Sequence, residues 1–286
     1  MAIVLGANRY GKAETRLVRV TRDGDTHRLV DLNVSVALSG DLVATHTTGD
    51  NAGVLPTDTM KNTVYAFARE HGVGAPEAFG LLLARHFVAT QPQITAARVS
   101  LESFGWERLG PHSFRRNGDF VRTAVVDHSA EFTQVVSGLT DLVLLNSTAS
   151  EFHGFPRDKY TTLPETTDRV LATAVNARWR HLSDRTGWDE SFEGAKDALV
   201  NAFVNTYSHS LQQTLLSMGT RVLDSRPELA EIRLALPNKH HYLVDLSPFD
   251  LENPGEVFIA GDRPYGLIEG TVTRDDAPPA ATEWWL

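Results

Sequence analysis

The stretch TRLVRVTRDGDTHRLVDLNVSVAL, residues 15–38, contains two runs of strand-forming residues on either side of the turn sequence DGD. In the second run, apolar side chains alternate with polar or small ones from Leu32 to Leu38. Such alternation is typical of a strand with one buried face, and glycine between acidic residues is typical of a tight turn. Residues 15–22 and 27–38 are therefore predicted to form a β-hairpin.

Two helices and two further strands follow the hairpin. LPTDTMKNTVYAFARE, residues 55–70, has apolar side chains at helical spacing, and Gly72 ends the pattern. A second segment of helical type covers residues 75–92. Strand-like runs at residues 94–106 and 113–128 complete the order strand, strand, helix, helix, strand, strand.

The same order recurs in the second half of the chain. Its predicted strands, helices and strands lie at residues 132–146, 166–182, 191–208, 210–225, 230–238 and 240–247. We therefore predict an α+β fold with two related halves, each an antiparallel sheet with helices packed on one face. The predicted domains are residues 1–134 and residues 135–286.

The C-terminal segment, about residues 275–286, is rich in proline and alanine. This composition predicts a tail that lies outside the core. The adjacent Trp284 and Trp285 would nevertheless be stabilised by docking on the rest of the protein.

Composition and charge narrow the classes of function. The chain has 27 basic and 36 acidic residues, a formal net charge of -9, which argues against a nucleic-acid partner. It has no cysteine, no apolar run of membrane length and no recognisable secretion signal. We expect a cytoplasmic protein that acts on a small molecule and has no membrane partner.

The common cofactor and catalytic motifs are missing from the sequence. There is no glycine-rich dinucleotide motif after a strand, no phosphate-binding loop, no GxSxG and no HExxH. The 11 histidines are scattered, and consecutive His240 and His241 would point to opposite faces of a strand. We therefore predict a site without a metal or an organic cofactor.

The start of the first long helix carries more polar residues than a helix start requires. A single side chain can satisfy the free amides, yet Thr57 and Asp58 stand side by side after Pro56. One of the two is expected to cap the helix. The other is then available for a ligand.

Several other candidates have simple structural explanations. Lys12 by itself is a surface lysine, and Gln212 stands near a helix start, where capping is the simple role. Arg169 begins an apolar strand, where a salt bridge to Asp168 or Glu165 is the simple expectation.

A second polar cluster follows a strand pattern that Pro237 interrupts. Asn238, Lys239 and His240 provide more hydrogen-bonding groups than a turn needs. A β-bulge or a turn is the simpler interpretation of this segment.

Five ordered segments span almost the whole chain: RYGK, LPTDTMKNTVYAFARE, SEFHGFPRDKYTTLPETTDR, SLQQT and ALPNKHHYLVDL. Taken together they resemble the urate oxidase (uricase) family of bacterial type. The resemblance implies two tandem tunnelling-fold (T-fold) domains in each chain. It also implies a homotetramer that forms a tunnel-shaped barrel, with active sites shared between subunits.

The resemblance further implies cofactor-independent oxidation of urate by dioxygen and water to 5-hydroxyisourate and hydrogen peroxide. The catalytic residues that it implies are Lys12, Thr57 and His240. The substrate-binding residues that it implies are Thr57, Asp58, Phe152, Arg169, Leu211, Gln212 and Asn238. In the shared site, Lys12, Thr57 and Asp58 would come from one chain and the later residues from its neighbour.

Two other functions stay open at the level of sequence. The first is another tunnelling-fold purine or pterin enzyme, such as a cyclohydrolase, although those relatives typically use a zinc site with cysteine. The second is a purine-binding protein without catalysis, which would not need Lys12, Thr57 or His240. The chain also ends in EWWL, whereas eukaryotic members of the family often end in Ser-Lys-Leu.

Overall fold

The computed structural model describes residues 2–261 and 263–284. The elements of the first half are β1 (Tyr10–Asp23), β2 (Thr26–Gly40), the short helix α1 (Val43–Thr47), α2 (Thr57–Glu70), α3 (Pro76–Thr90), β3 (Ile94–Arg108) and β4 (Phe114–Ser129). The elements of the second half are β5 (Thr133–Asn146), β6 (Leu171–His181), α4 (Trp188–Asn205), α5 (Leu211–Ser225), β7 (Leu229–Asn238), β8 (His241–Leu243), β9 (Phe258–Ala260) and β10 (Gly266–Thr273).

Eight of the strands form one continuous antiparallel sheet in the order β1-β2-β3-β4-β5-β6-β7-β10. The predicted halves are joined in the middle of this sheet, where β4 pairs with β5 and Val125 lies opposite Val136. Strands β1 and β10 are the two edges. The prediction of an α+β fold built from antiparallel strands and helices is confirmed.

The alternation in the opening hairpin separates the two faces of the sheet. Leu32, Val34, Val36 and Leu38 are at most 3% exposed, and they pack in a cluster that includes Met60 of α2. Burying such side chains stabilises the fold by about 1.5–3 kcal/mol each. Because alternate residues of a strand point to opposite faces, the polar residues between them lie on the face away from the helices.

Each half has its own hydrophobic cluster. The first cluster runs from Leu17 to Val135 and contains residues of α2 and α3, and the second runs from Leu139 to Leu236 and contains residues of α4 and α5. The clusters change over between Val135 and Leu139, close to the predicted division at residues 134 and 135. That division stays a prediction.

A buried polar network crosses the junction between the halves. Glu77, at the start of α3, is fully buried and accepts hydrogen bonds from Arg122 Nη2 (2.8 Å) and Ser137 Oγ (2.6 Å). His181 Nε2 lies 2.8 Å from Ser137 Oγ. Because Ser137 donates its single proton to Glu77, His181 Nε2 is the donor to Ser137. Burial lowers the pKa of His181 to about 4, so this ring is neutral at pH 7.

The predicted strand at residues 240–247 does not continue the large sheet, and this prediction is wrong. Its first residues form β8, which pairs only with β9 in a separate two-stranded sheet. Strand β7 lies between β6 and β10, and β10 was not predicted from the sequence. Its two glycines and alternating polar residues weaken the strand pattern, whereas close contact with α5 stabilises it in the fold, since a Cβ on Gly219 would lie 2.4 Å from Val272.

The C-terminal segment is docked on the sheet. Gln134 Nε2 donates to Thr282 Oγ1 (2.9 Å), and Arg98 Nη2 donates to the Glu283 carbonyl (2.9 Å). Trp284 is 4% exposed and lies 4.0 Å from the guanidinium carbon of Arg233. The expectation that Trp284 docks is therefore confirmed, the prediction of a tail outside the core is wrong for this residue, and Trp285 lies outside the described residues.

Membrane-crossing helices are absent from the part of the chain that the structure describes, because none there is both long and apolar enough.

Candidate active site

The first group of predicted site residues lies at one edge of the sheet. Lys12 is on the edge strand β1, opposite Val36, just before a shift of register between Lys12 and Thr15. Glu14 occupies this irregularity with a positive φ of 58°. The bulge ends the regular pairing beside Lys12 and lets the strand bend there.

Thr57 and Asp58 form the first turn of α2, and neither caps it. The N-cap is Pro56, and no side chain bonds to the helix amides there. Asp58 instead accepts hydrogen bonds from Lys61 and from Asn62 Nδ2 (3.0 Å). The prediction that one of the pair caps the helix is wrong, because Asp58 is bonded to side chains one turn further along.

The start of α2 has uncapped amide groups at the positive end of the helix dipole, and a lysine charge acts on it. The pKa of Asp58 is lowered, chiefly by its bond to Lys61 and to a smaller degree by the charge of Lys12. Helix α2 packs against β1, and the charge of Lys12 acts on its first turn. Uncapped amides and the positive end of the helix dipole favour an anion at this position.

The second group lies around an extended segment between β5 and β6. Phe152 N donates to the Thr166 carbonyl (2.8 Å), and Arg169 N donates to the Ser150 carbonyl (2.8 Å). The Arg169 guanidinium carbon is 5.4 Å from the centroid of the Phe152 ring. The predicted strand at residues 166–182 begins too early, since residues 166–169 pair with this segment and β6 starts at Leu171.

Arg169 has no carboxylate partner in the part of the chain that the structure describes. Asp168 accepts instead from Thr148 Oγ1 (2.8 Å), and Glu165 accepts from Gly154 N (3.2 Å). The simple expectation of a salt bridge is therefore wrong.

The Arg169 guanidinium is partly withdrawn from water. Its Nε donates to Ser150 Oγ (3.3 Å), and desolvation lowers its pKa, although an arginine stays charged at pH 7. A half-buried cation beside an aromatic ring favours a planar ligand with an acceptor edge.

The start of helix α5 presents two further predicted residues. Ser210 is the cap, because its Oγ accepts from Gln213 N (3.2 Å), while Gln213 Oε1 accepts from His209 N (3.1 Å). Gln212 is therefore not the capping residue, and its exposed side chain makes no hydrogen bond to the described residues. Leu211 is 2% exposed and is the first residue of α5.

Strand β7 continues through Pro237 to Asn238, so the expectation of a bulge or turn at the proline is wrong. Asn238 is 9% exposed and lies between Thr173 of β6 and Gly266 of β10. His240 follows the strand. Burial, together with the charge of Arg169, lowers the pKa of His240, so its ring is neutral at pH 7.

The two groups do not meet within one chain. Lys12 is on β1, and Asn238 is on β7, six strand positions away in the sheet. Six spacings correspond to roughly 29 Å along the sheet. The structure thus brings Lys12 near Thr57 and Asp58, and Phe152 and Arg169 near His240, as separate sets.

A set of polar side chains beside the second group was not predicted from the sequence. Tyr207, His209 and His153 all contact the carboxylate of Glu151. Glu151 directly precedes the predicted site residue Phe152 in an extended segment. Neighbouring residues of such a segment point in opposite directions, so Glu151 faces a different part of the fold from Phe152. This adjacency was the available signal in the sequence.

No three histidine, aspartate or glutamate side chains are grouped to hold a metal ion among residues 2–261 and 263–284.

Comparison with known proteins gives a consistent result along the chain. The uricase family model matches residues 8–133 and 135–269. A uricase from Arthrobacter globiformis is 52% identical over 275 residues, which cover 96% of this chain and 91% of the relative. A uricase from Dictyostelium discoideum is 38% identical over 276 residues, covering 93% and 96%.

Solved structures show the same similarity. The crystal structure of the Arthrobacter globiformis uricase superposes with a TM-score of 0.95 at 51% identity and covers 98% of both chains. A uricase from Bacillus fastidious, at 23% identity, has a TM-score of 0.81 and covers 98% of this chain and 99% of its own. The second similarity concerns the fold alone.

Proposed function

This chain belongs to the uricase family and is a urate-oxidising enzyme, and we propose that it works without a metal or organic cofactor. The proposed reaction converts urate, dioxygen and water to 5-hydroxyisourate and hydrogen peroxide. Two electrons pass from the purine to dioxygen, and the oxygen of water is added to the ring. The observation that supports a urate site is the partly buried Arg169, without a carboxylate partner among the described residues, beside Phe152.

In the proposed complex, the second group of residues binds the purine. Phe152 stacks on the flat ring, while Arg169 and Gln212 hold its carbonyl and ring-nitrogen edge by paired hydrogen bonds. Main-chain groups of Leu211 and Asp58 complete the binding. The positive charge of Arg169 suits a substrate that is an anion at neutral pH.

Lys12, Thr57 and His240 form the proposed proton relay. The Thr57 hydroxyl is too weak an acid to transfer protons unaided, so Lys12 must lie within hydrogen-bond reach of it in the complete site. The low pKa of His240 keeps its ring neutral, so that it can accept a proton at pH 7.

Dioxygen activation then depends on the substrate itself. Removal of a proton makes the purine electron-rich, and the protein holds the ring while oxygen, and then water, is placed over one face. Asn238 is the residue proposed to hold oxygen or water there.

We also propose that each site is shared between two subunits of a homotetramer. This is supported by the roughly 29 Å along the sheet between Lys12 and Asn238. It is also supported by the two open edges, β1 and β10, which are available for pairing with other copies. The cytoplasmic location stays a prediction.

The test is a measurement of oxygen uptake and peroxide release with urate, using protein treated with a chelator. We expect undiminished turnover. Activity that is lost on chelation and restored by one metal would contradict cofactor independence. Urate binding without oxygen uptake would indicate a purine-binding protein instead.

A further inference from the structure

We propose that Glu151 is a positioning residue that holds the purine-binding group in its working arrangement, an inference that rests on the proposed function. Glu151 lies between Ser150, which contacts Arg169, and Phe152. It is not among the residues implied by the family resemblance.

The backbone around Glu151 joins two parts of the binding group. Glu151 N donates to the Ser208 carbonyl (2.8 Å), while Arg169 N donates to the Ser150 carbonyl (2.8 Å). The Ser150–Phe152 segment, residues 150–152, therefore lies between the segment that ends in Arg169 and the segment that leads into α5. A shift of this short segment would displace Phe152 and Arg169 together.

The carboxylate of Glu151 is surrounded by three hydrogen-bond donors. Oε1 accepts from His209 Nδ1 (2.5 Å) and lies 3.1 Å from His153 Nε2. Oε2 accepts from Tyr207 Oη (2.8 Å). These contacts, His209 first and Tyr207 next, lower the pKa of Glu151, so the carboxylate is ionised and keeps its acceptors available at neutral pH.

Each donor belongs to a segment that carries a binding residue. His209 stands directly before the cap of α5, where Leu211 and Gln212 begin the helix. The Tyr207 hydroxyl also lies 3.4 Å from the Thr167 carbonyl, two residues before Arg169. One carboxylate thus ties together the segments of Phe152, Arg169 and Gln212.

This arrangement predicts an effect on substrate binding rather than on the chemical step. The tied residues are those proposed to hold the ring, whereas Lys12 and Thr57 lie at the other edge of the sheet. His240, the third residue of the proposed relay, is not among the donors to Glu151. Loss of the carboxylate should therefore raise KM while leaving kcat largely unchanged.

The experiment measures KM, kcat and the dissociation constant of an unreactive purine analogue for the wild type, Glu151→Ala, Glu151→Gln and Tyr207→Phe. We expect about tenfold weaker analogue binding and a matching rise of KM in Glu151→Ala, because binding groups lose their alignment. Glu151→Gln should recover part of the loss, since its amide oxygen still accepts from Tyr207. Tyr207→Phe should show a smaller effect in the same direction.

Glu190→Ala is the matched control, because Glu190 is an exposed carboxylate at the opposite end of α4 from Tyr207. It should leave all three constants unchanged. Thermal unfolding of each variant separates displacement of the site from general instability, and Tyr207→Phe provides the test if Glu151→Ala does not fold.

Analogue binding equal to that of the wild type in folded Glu151→Ala, or in Tyr207→Phe where only that variant folds, would overturn the inference. A fall of kcat with unchanged KM would also overturn it. An inactive wild type that still binds the analogue would contradict the proposed function, and the binding comparison would then still decide the role of Glu151.

Discussion

The two groups of site residues differ in how firmly a single chain holds them. Phe152 and Arg169 lie in segments fixed by backbone hydrogen bonds, and they are partly buried. Lys12 is on an edge strand beside a bulge, and Asp58 has a side chain that is 66% exposed. One chain therefore arranges the proposed purine-binding group in advance. In our proposal, the group of Lys12, Thr57 and Asp58 is completed by the surface of another subunit. Substitutions in each group can test whether it serves mainly the chemical step or mainly substrate binding.

The largest effect is expected from the first group. Lys12→Met should lower turnover by about 10²- to 10⁴-fold, the usual contribution of a general base, while binding of an unreactive purine analogue is nearly kept. Steady-state oxygen uptake and analogue titration are the measurements. Lys196→Met, which removes a partly buried lysine of α4 that pairs with Glu193, is the control. Full turnover of Lys12→Met near neutral pH would exclude Lys12 from the proton relay.

Arg169→Ala should show the opposite pattern. Loss of charge-assisted hydrogen bonds, each contributing about 1.5–3 kcal/mol, should weaken analogue binding by roughly 10²-fold. Arg169→Lys should recover only part of this, because an ammonium group cannot form the paired hydrogen bonds of a guanidinium. Equal binding by Arg169→Ala and the wild type would remove Arg169 from the binding group.

A mixing experiment tests whether the groups come from different chains. Thr57→Ala and Arg169→Ala should each be nearly inactive, but refolding them together should restore activity. Random pairing leaves about a quarter of the sites with both groups intact. Separate refolding followed by mixing should restore little.

The mixing experiment can also contradict the sharing of the site between subunits. Hybrid oligomers that form, yet show no more activity than the two variants alone, would place the whole site within one chain.

The smallest effect on activity is expected from the junction between the halves, which contributes to stability. The pKa of His181 is lowered from 6.5 to about 4, so the unfolded chain takes up a proton below pH 6.5 that the folded chain does not. The free energy of unfolding should therefore be highest above pH 6.5 and fall as the pH decreases toward 4, by roughly 3 kcal/mol in total from this group.

Urea unfolding of the wild type and of His181→Gln at several pH values measures this contribution. Glutamine has no proton to gain and can still donate to Ser137. The variant should lose that part of the acid sensitivity. Identical pH dependence in both proteins would mean that His181 does not remain neutral in the folded chain.

Prediction from sequence succeeded where local pattern and burial agree. The alternation from Leu32 to Leu38 correctly predicted strand β2, and the helical spacing in residues 55–70 correctly predicted helix α2. In each element the apolar side chains share one face, and that face is buried. The failures have non-local causes. Strand β10 depends on contact with α5, and Trp284 is buried by residues that lie far away in the sequence.

The candidate site shows the same contrast between features set by local sequence and features set by tertiary contacts. The sequence by itself predicted most of the order of elements and the α+β class, because these depend on local pattern. Through resemblance it also supplied the residues proposed for the site, which stay a prediction. Only the tertiary structure decided that Arg169 has no salt bridge to Asp168 or Glu165, that Ser210 rather than Gln212 caps α5, and that Glu151 gathers three donors. The physical reason is that a polar side chain takes whichever partner the packed backbone brings within reach, and for Arg169 and Gln212 the outcome differs from the one that local sequence suggests.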